Sequence, residues 1–141
     1  MKPIYLLDTN IVSELNRTEP NENVLKQFSR LSHICAISAI SWQEMIYGVE
    51  KLPDGKRKSN IKNFLQTFRN HTEIIPYDSF AAGICGELSA KCEKESSPIS
   101  YSDSQIAATA IANNMILISR NISDFKKLCN ISLLHVENWF E

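Results

Sequence analysis

The sequence predicts an α/β fold built on a parallel sheet with helices on both faces. Two observations predict it. Apolar runs of strand length occur at Ile4 to Leu7, Cys35 to Ser38, Glu73 to Pro76, Met115 to Ser119 and Ser132 to Leu134, and each but the last is followed by a helical pattern. Short apolar strands that alternate with helices argue for a parallel sheet covered on both sides.

Taken in order, the first run ends at Asp8 and opens the polar tripeptide Asp8-Thr9-Asn10, with a short helix expected from about Asn10 to Asn16. Behind Pro20, Asn21 to Leu31 carries Val24, Leu25, Phe28 and Leu31 at helical spacing. Ser41 to Lys51 follows the second strand as a helix, and Leu52-Pro53-Asp54-Gly55 is a turn by composition. Lys56 to Asn70 sets Ile61, Phe64, Leu65 and Phe68 on one face. Asp78 to Glu95 follows the third strand, Ser96-Ser97-Pro98 breaks it, and Ser102 to Asn113 offers Ile106, Ala107, Ala110 and Ile111 as an inner face. A short helix at Asp124 to Leu128 follows the fourth strand.

A length of 141 residues suits one compact domain, 1–141, with little room for a second. Hydrophobic residues at 43% and charged residues at 22% are ordinary for a soluble globular protein. The formal net charge of −1 does not announce a nucleic-acid binder, so any phosphate-binding surface must be local. Cys35, Cys85, Cys92 and Cys129 form no C-x-x-C pair, and buried thiols are expected. Cys85 and Cys92 lie two turns apart on one helix, too far for a disulfide. No signal peptide or membrane span is legible, which makes the cytoplasm the expected location.

Asp8, Glu44, Asp103 and Asp124 are the candidate catalytic residues. Singly, each has a bland reading: Asp8 as a helix cap, Glu44 in a capping box with Ser41, Asp103 in the same relation to Ser100, and Asp124 at the positive end of a short helix. Jointly, they fall just past strand ends or in the first turn of the following helix, and in a parallel sheet those places share one edge. Carboxylates gathered there repel, by about 4 kcal/mol for a pair at about 4 Å and an effective dielectric of about 20, unless a cation offsets them. All-oxygen ligation by Asp and Glu suits Mg²⁺ or Mn²⁺, ions that act on phosphate esters. Thr9, Asn10, Ser119 and Asn121 are small hydrogen-bonding neighbours fit either to orient these acids or to make turns.

The runs Leu7-Asp8-Thr9-Asn10-Ile11-Val12-Ser13-Glu14, Ser41-Trp42-Gln43-Glu44 with Tyr47-Gly48-Val49-Glu50, Ser102-Asp103 with Ile106-Ala107-Ala108, and Ser119-Arg120-Asn121-Ile122-Ser123-Asp124-Phe125 resemble, in order, the four acidic motifs of PIN-domain ribonucleases. The likeness is to VapC-type toxins of type II toxin–antitoxin pairs, in particular their FitB-like branch. It extends to Val136-Glu137-Asn138-Trp139, which resembles the family's closing strand. The resemblance implies a three-layer sandwich around five parallel strands in the order 3-2-1-4-5. It implies Asp8 and Asp103 as principal ligands of one or two Mg²⁺ or Mn²⁺ ions, with Glu44 and Asp124 completing the acidic pocket and positioning or activating water. Cleavage of single-stranded RNA to 5′-phosphate and 3′-hydroxyl ends, a homodimer and silencing by a VapB-like antitoxin are implied as well. Some relatives have Asp where this chain has Asn121.

Lys51, Lys56, Arg57, Lys58, Lys62 and Arg69 cluster between Lys51 and His71 against the single acid Asp54. They suit either an RNA-backbone contact or a solvated helix face. Arg120, beside the proposed pocket, is the better candidate for a phosphate contact. Trp42, Tyr47, Tyr101 and Trp139 read as core or interface. His33, His71 and His135 read as surface or turn residues.

Four competing functions are weighed against the ribonuclease. A phospho-accepting receiver pairs adjacent acids after its first strand and carries a lysine after its last, where this chain has Thr9-Asn10 and Leu134-His135. A phosphatase with Asp8 as nucleophile wants D-x-D, and this chain has D-x-N. A PIN-fold nuclease in RNA processing outside a toxin pair would keep the same acids. A non-catalytic protein-binding module would keep the same fold.

Overall fold

The computed structural model describes residues 2–141. Five strands, β1 (Tyr5–Leu7), β2 (Cys35–Ser38), β3 (Glu73–Ile75), β4 (Ile116–Ile118) and β5 (Val136–Glu137), form one sheet in the order β3-β2-β1-β4-β5. Every neighbouring pair is parallel. The α/β class and the order 3-2-1-4-5 therefore stand as expected.

Among the described residues, seven α-helices surround the sheet: α1 (Thr9–Leu15), α2 (Glu22–Leu31), α3 (Ala39–Glu50), α4 (Lys56–His71), α5 (Ser79–Lys94), α6 (Tyr101–Ala112) and α7 (Ile122–Ile131). Successive strand residues feed opposite cores. Leu6, Ala36 and Leu117 pack with Leu88, Ile106, Phe125 and Leu128 on one side, while Leu7, Ile37 and Ile118 pack with Val12, Val24, Met45 and Leu65 on the other. A side-chain period of two in strands covered on both faces explains why the runs read as continuously apolar.

Three expectations need correction. The fifth run, Ser132 to Leu134, is not a strand. The Ser132 hydroxyl donates to the Leu128 carbonyl and accepts from the Leu134 amide, so this segment closes α7, and β5 begins at Val136, inside the segment that resembled a closing strand. Leu25 is 45% exposed, because the inward stripe of α2 runs through buried Val24 and half-buried Phe28 and Leu31, and the neighbouring position points away. Finally, α3 starts at Ala39 rather than Ser41, because Ser38 caps it by accepting from the Ser41 amide at 3.0 Å. The turn before α4 does contain a residue that needs glycine: Gly55 sits at φ 156°, a region L side chains rarely adopt.

Candidate active site

The carboxyl edge of the central strands organises the site. In register, Leu7 lies opposite Ile118, and the pairing continues one step further through the Asp8 amide, which donates to the Ile118 carbonyl at 2.8 Å. Asp8 and Ser119 thereby leave adjacent strands side by side. The Ser119 amide is fixed in turn by the Glu137 carbonyl of β5 at 3.0 Å.

Asp8 is both cap and pocket residue. One carboxylate oxygen accepts from the Thr9 backbone amide at 2.8 Å, starting α1, and the other accepts from the Ser119 hydroxyl at 2.8 Å and from the Asn10 side-chain nitrogen at 3.4 Å. The bland reading and the functional one describe the same geometry. Asp8 is 6% exposed and has no basic partner within ion-pair distance among the described residues. Burial pushes its carboxyl above the usual range and the charges of Asp103 and Glu44 add to this, while the Ser119 and Thr9 hydrogen bonds pull the other way.

Glu44 lies in the second turn of α3, not the first, because the helix starts earlier than expected. It makes no capping box with Ser41; its Oε1 accepts instead from the Thr9 hydroxyl at 2.8 Å. Asp103 sits in the first turn of α6, where the Ser100 hydroxyl caps its amide at 3.3 Å. That helix follows α5 rather than a strand, so packing of α6 against α5 and α3 brings Asp103 to the sheet edge. Burial raises the Asp103 carboxyl; the Ser100 hydroxyl opposes this, and the Asp124 and Glu44 charges reinforce it. Asp124 stands in the first turn of α7.

Asp8, Glu44 and Asp103 line one open cavity, together with Thr9, Asn10 and Asn121. Asp124 lines an adjacent cavity with Ser100, Ser123 and Lys127, and Asp103 forms the border between the two. Three acids thus share a pocket and the fourth approaches from the far side of Asp103. Among the described residues, no three His, Cys, Asp or Glu side chains close into a ready-made metal cage.

The neighbouring polar residues are tied into this frame. The Asn10 carboxamide oxygen accepts from the Arg120 amide at 3.1 Å, and its nitrogen reaches Ser119 Oγ at 3.4 Å. The Asn121 amide donates to Ser119 Oγ at 3.0 Å, so Asn121 acts here through its backbone. The Arg120 guanidinium stacks 4.5 Å from the centroid of Phe140 and lines the acidic cavity.

Sequence reasoning gave no role to Glu14 or Arg17, yet both line this cavity. Glu14 is buried on α1, accepts from the Asn21 amide at 2.7 Å and pairs with Arg17 at 3.2 Å. The Asn21 hydrogen bond is the main reason its carboxyl titrates below the usual range, helped by Arg17 and Arg120. A glutamate on the apolar face of a short helix, followed three residues later by arginine, was the available signal. The histidines lie outside the pocket: His71 contacts the Thr67 carbonyl and His135 pairs with Glu137.

Residues 5–131 match the PIN domain. The chain belongs to the PIN-domain family. It is 36% identical over 138 residues to ribonuclease VapC2 of Rickettsia felis, with 96% of this chain and 98% of that protein covered. Among solved structures, VapBC2 of Rickettsia felis bound to a DNA fragment from its promoter contains a chain similar at a TM-score of 0.83 and 33% identity, covering 96% of this chain and 98% of that one. FitAcB from Neisseria gonorrhoeae contains a chain similar at a TM-score of 0.87 and 29% identity, with 98% of this chain and 99% of that one covered. Among the described residues of this PIN domain, no helix is long and apolar enough to cross a membrane.

Proposed function

We propose that this PIN domain is a metal-dependent endoribonuclease that acts as the toxin of a VapBC-type pair. The observation that carries the reading is the buried Asp8 carboxylate, raised in pKa by burial and by two acidic neighbours, in a cavity that also contains Arg17 and Arg120. Relatives of similar length are VapC ribonucleases, and similar chains occur in toxin–antitoxin complexes, which supports RNA as substrate and a VapB-like antitoxin as partner. A homodimer, a single domain over 1–141 and a cytoplasmic setting belong to the same reading.

The donor set fits Mg²⁺ or Mn²⁺. Mg²⁺ keeps several waters and is held through one or two carboxylates plus substrate phosphates, so a closed protein cage is not required. Asp8 and Asp103 would hold the ion, with Glu44 and Asp124 beside them. When bound, it supplies a more acidic water and offsets the charge of the phosphodiester.

The remaining work falls to the chain. Ser119 and Asn10 fix the orientation of Asp8, and Thr9 holds Glu44 towards the cavity, where it positions the attacking water. Asp124 completes the acidic border beyond Asp103. Arg120, held by its ring contact and by Asn10, meets the substrate phosphate. A phosphatase built on Asp8 would want a carboxyl proton donor at position 10, where this chain has a carboxamide engaged with Asp8 and with the Arg120 backbone amide.

Induction of the chain in a bacterial host tests the proposal. The expected result is growth arrest with new 5′-phosphate RNA ends at discrete positions, absent for Asp8→Asn and suppressed by co-expression of a cognate VapB-like antitoxin. Growth arrest without such ends, or equally strong arrest by Asp8→Asn, would assign the effect to binding rather than cleavage.

A further inference from the structure

The six basic side chains between Lys51 and His71 divide sharply once their contacts are known. Four are used within the fold: Lys51 lies over Tyr47 at 4.7 Å, Arg69 over Trp42 at 5.3 Å, Lys58 pairs with Asp54 at 3.4 Å and Lys62 with Glu50 at 2.7 Å. Lys56 and Arg57 have no acidic partner within ion-pair distance among the described residues. Both are exposed in the first turn of α4, and both line a cleft with Asn16, Arg17 and Asn60. Four of the six cations are thus committed to contacts within the fold, and Lys56 and Arg57 are the two left to meet an anionic ligand.

This cleft adjoins the acidic cavity: Ser13 and Arg17 line both. Glu19 is its one acid and Ile61 its one aliphatic side chain. A pocket of carboxylates repels a polyanion, and a chain of net charge −1 offers no general attraction, so affinity for RNA must come from cations set beside the pocket. We propose that the furrow running from the Asp8 cavity past Arg17 to Lys56 and Arg57 is the track for single-stranded RNA on one side of the scissile bond. Lys56 and Arg57 contact its phosphates, and Asn16 and Asn60 offer hydrogen bonds to sugar or base. The inference rests on the ribonuclease reading. A protein segment fits this cleft less well, since every side chain lining it except Ile61 is polar or charged, whereas a protein partner favours an apolar centre.

The test compares binding of a labelled, unstructured RNA oligonucleotide by full-length Asp8→Asn protein with and without Lys56→Ala/Arg57→Ala. A Lys51→Ala/Lys62→Ala pair removes equal charge outside the furrow. The furrow pair is expected to weaken binding about tenfold and to reduce the slope of log affinity against log salt by about 1.4, as two lost contacts to a single strand require. The control pair is expected to change affinity by no more than about twofold, because its charges lie outside the furrow, engaged with Tyr47 and Glu50, and are screened by salt. Equal losses from both pairs, or unchanged binding in the furrow pair, would overturn the track. Unchanged RNA binding with lost antitoxin binding would overturn it in favour of a protein partner. Cleavage by the wild-type chain, run in parallel, separates failure of the track from failure of the ribonuclease reading.

Discussion

The Ser119 hydroxyl donates to Asp8 Oδ2 at 2.8 Å, joining the ends of two adjacent parallel strands at the point where the sheet stops and the acidic cavity begins. Groups that orient metal-binding carboxylates are typically worth about 10- to 100-fold in metal affinity or activity. Ser119→Ala is therefore expected to lower Mg²⁺ affinity about tenfold, read by calorimetry, with the circular dichroism spectrum unchanged. Wild-type affinity in this variant would remove Ser119 from the positioning network.

Asp8 has a stability cost that reverses with metal. Its folded-state carboxyl titrates above the usual value of 3.8, so between the unfolded and folded values the native state binds more protons, and stability falls as pH rises through that window. In chelator at neutral pH, Asp8→Asn is expected to raise Tm by a few degrees, since Asn is an equally good cap. The gain disappears below the unfolded value. Added Mg²⁺ raises Tm of the wild type and not of the variant. Thermal scans across pH check both signs.

Glu14 behaves in the opposite sense. Its carboxyl titrates below the usual 4.5, first through the Asn21 amide and then through Arg17, so its stabilisation is present above the unfolded value and is lost as pH falls through the folded one. Glu14→Gln is expected to cost about 1–3 kcal/mol at neutral pH, with the difference from wild type shrinking in acid. A constant difference across pH in urea titrations would contradict the assignment.

Thr9→Val keeps the side-chain shape and removes the donor to Glu44 Oε1. The expected outcome is a loss in kcat of about tenfold with little change in KM or Tm. A rise in KM alone would place Glu44 in substrate binding rather than in positioning water.

Much of this arrangement is legible in the sequence because the sheet is covered on both faces. Apolar runs such as Leu6-Leu7 and Leu117-Ile118 feed two cores at once, and the first polar residues after them, Asp8 and Ser119, mark the strand ends directly. The relation of Glu44 to Thr9 was not legible, because it depends on where α3 begins, and Ser38 and Ser41 are equally good caps by composition. The fifth strand was misplaced for a similar reason: Ser132-Leu133-Leu134 has strand composition, and only the hydrogen bonds of Ser132 show it closing a helix. Glu14 and Arg17 went unassigned because their place in the pocket arises from the packing of α1 over the carboxyl edge, which no local pattern records. The basic segment needed its partners to be known before two cations separated from four.

Whether the Asp8 cavity cuts RNA with a divalent metal is tested most directly by cleavage of a labelled single-stranded RNA. The purified, antitoxin-free chain is assayed in Mg²⁺ or Mn²⁺, with chelator and Asp8→Asn controls. Products with 5′-phosphate and 3′-hydroxyl ends that vanish in both controls are the predicted result. Cleavage that persists in chelator, or in folded Asp8→Asn protein, would contradict a metal-dependent site at Asp8.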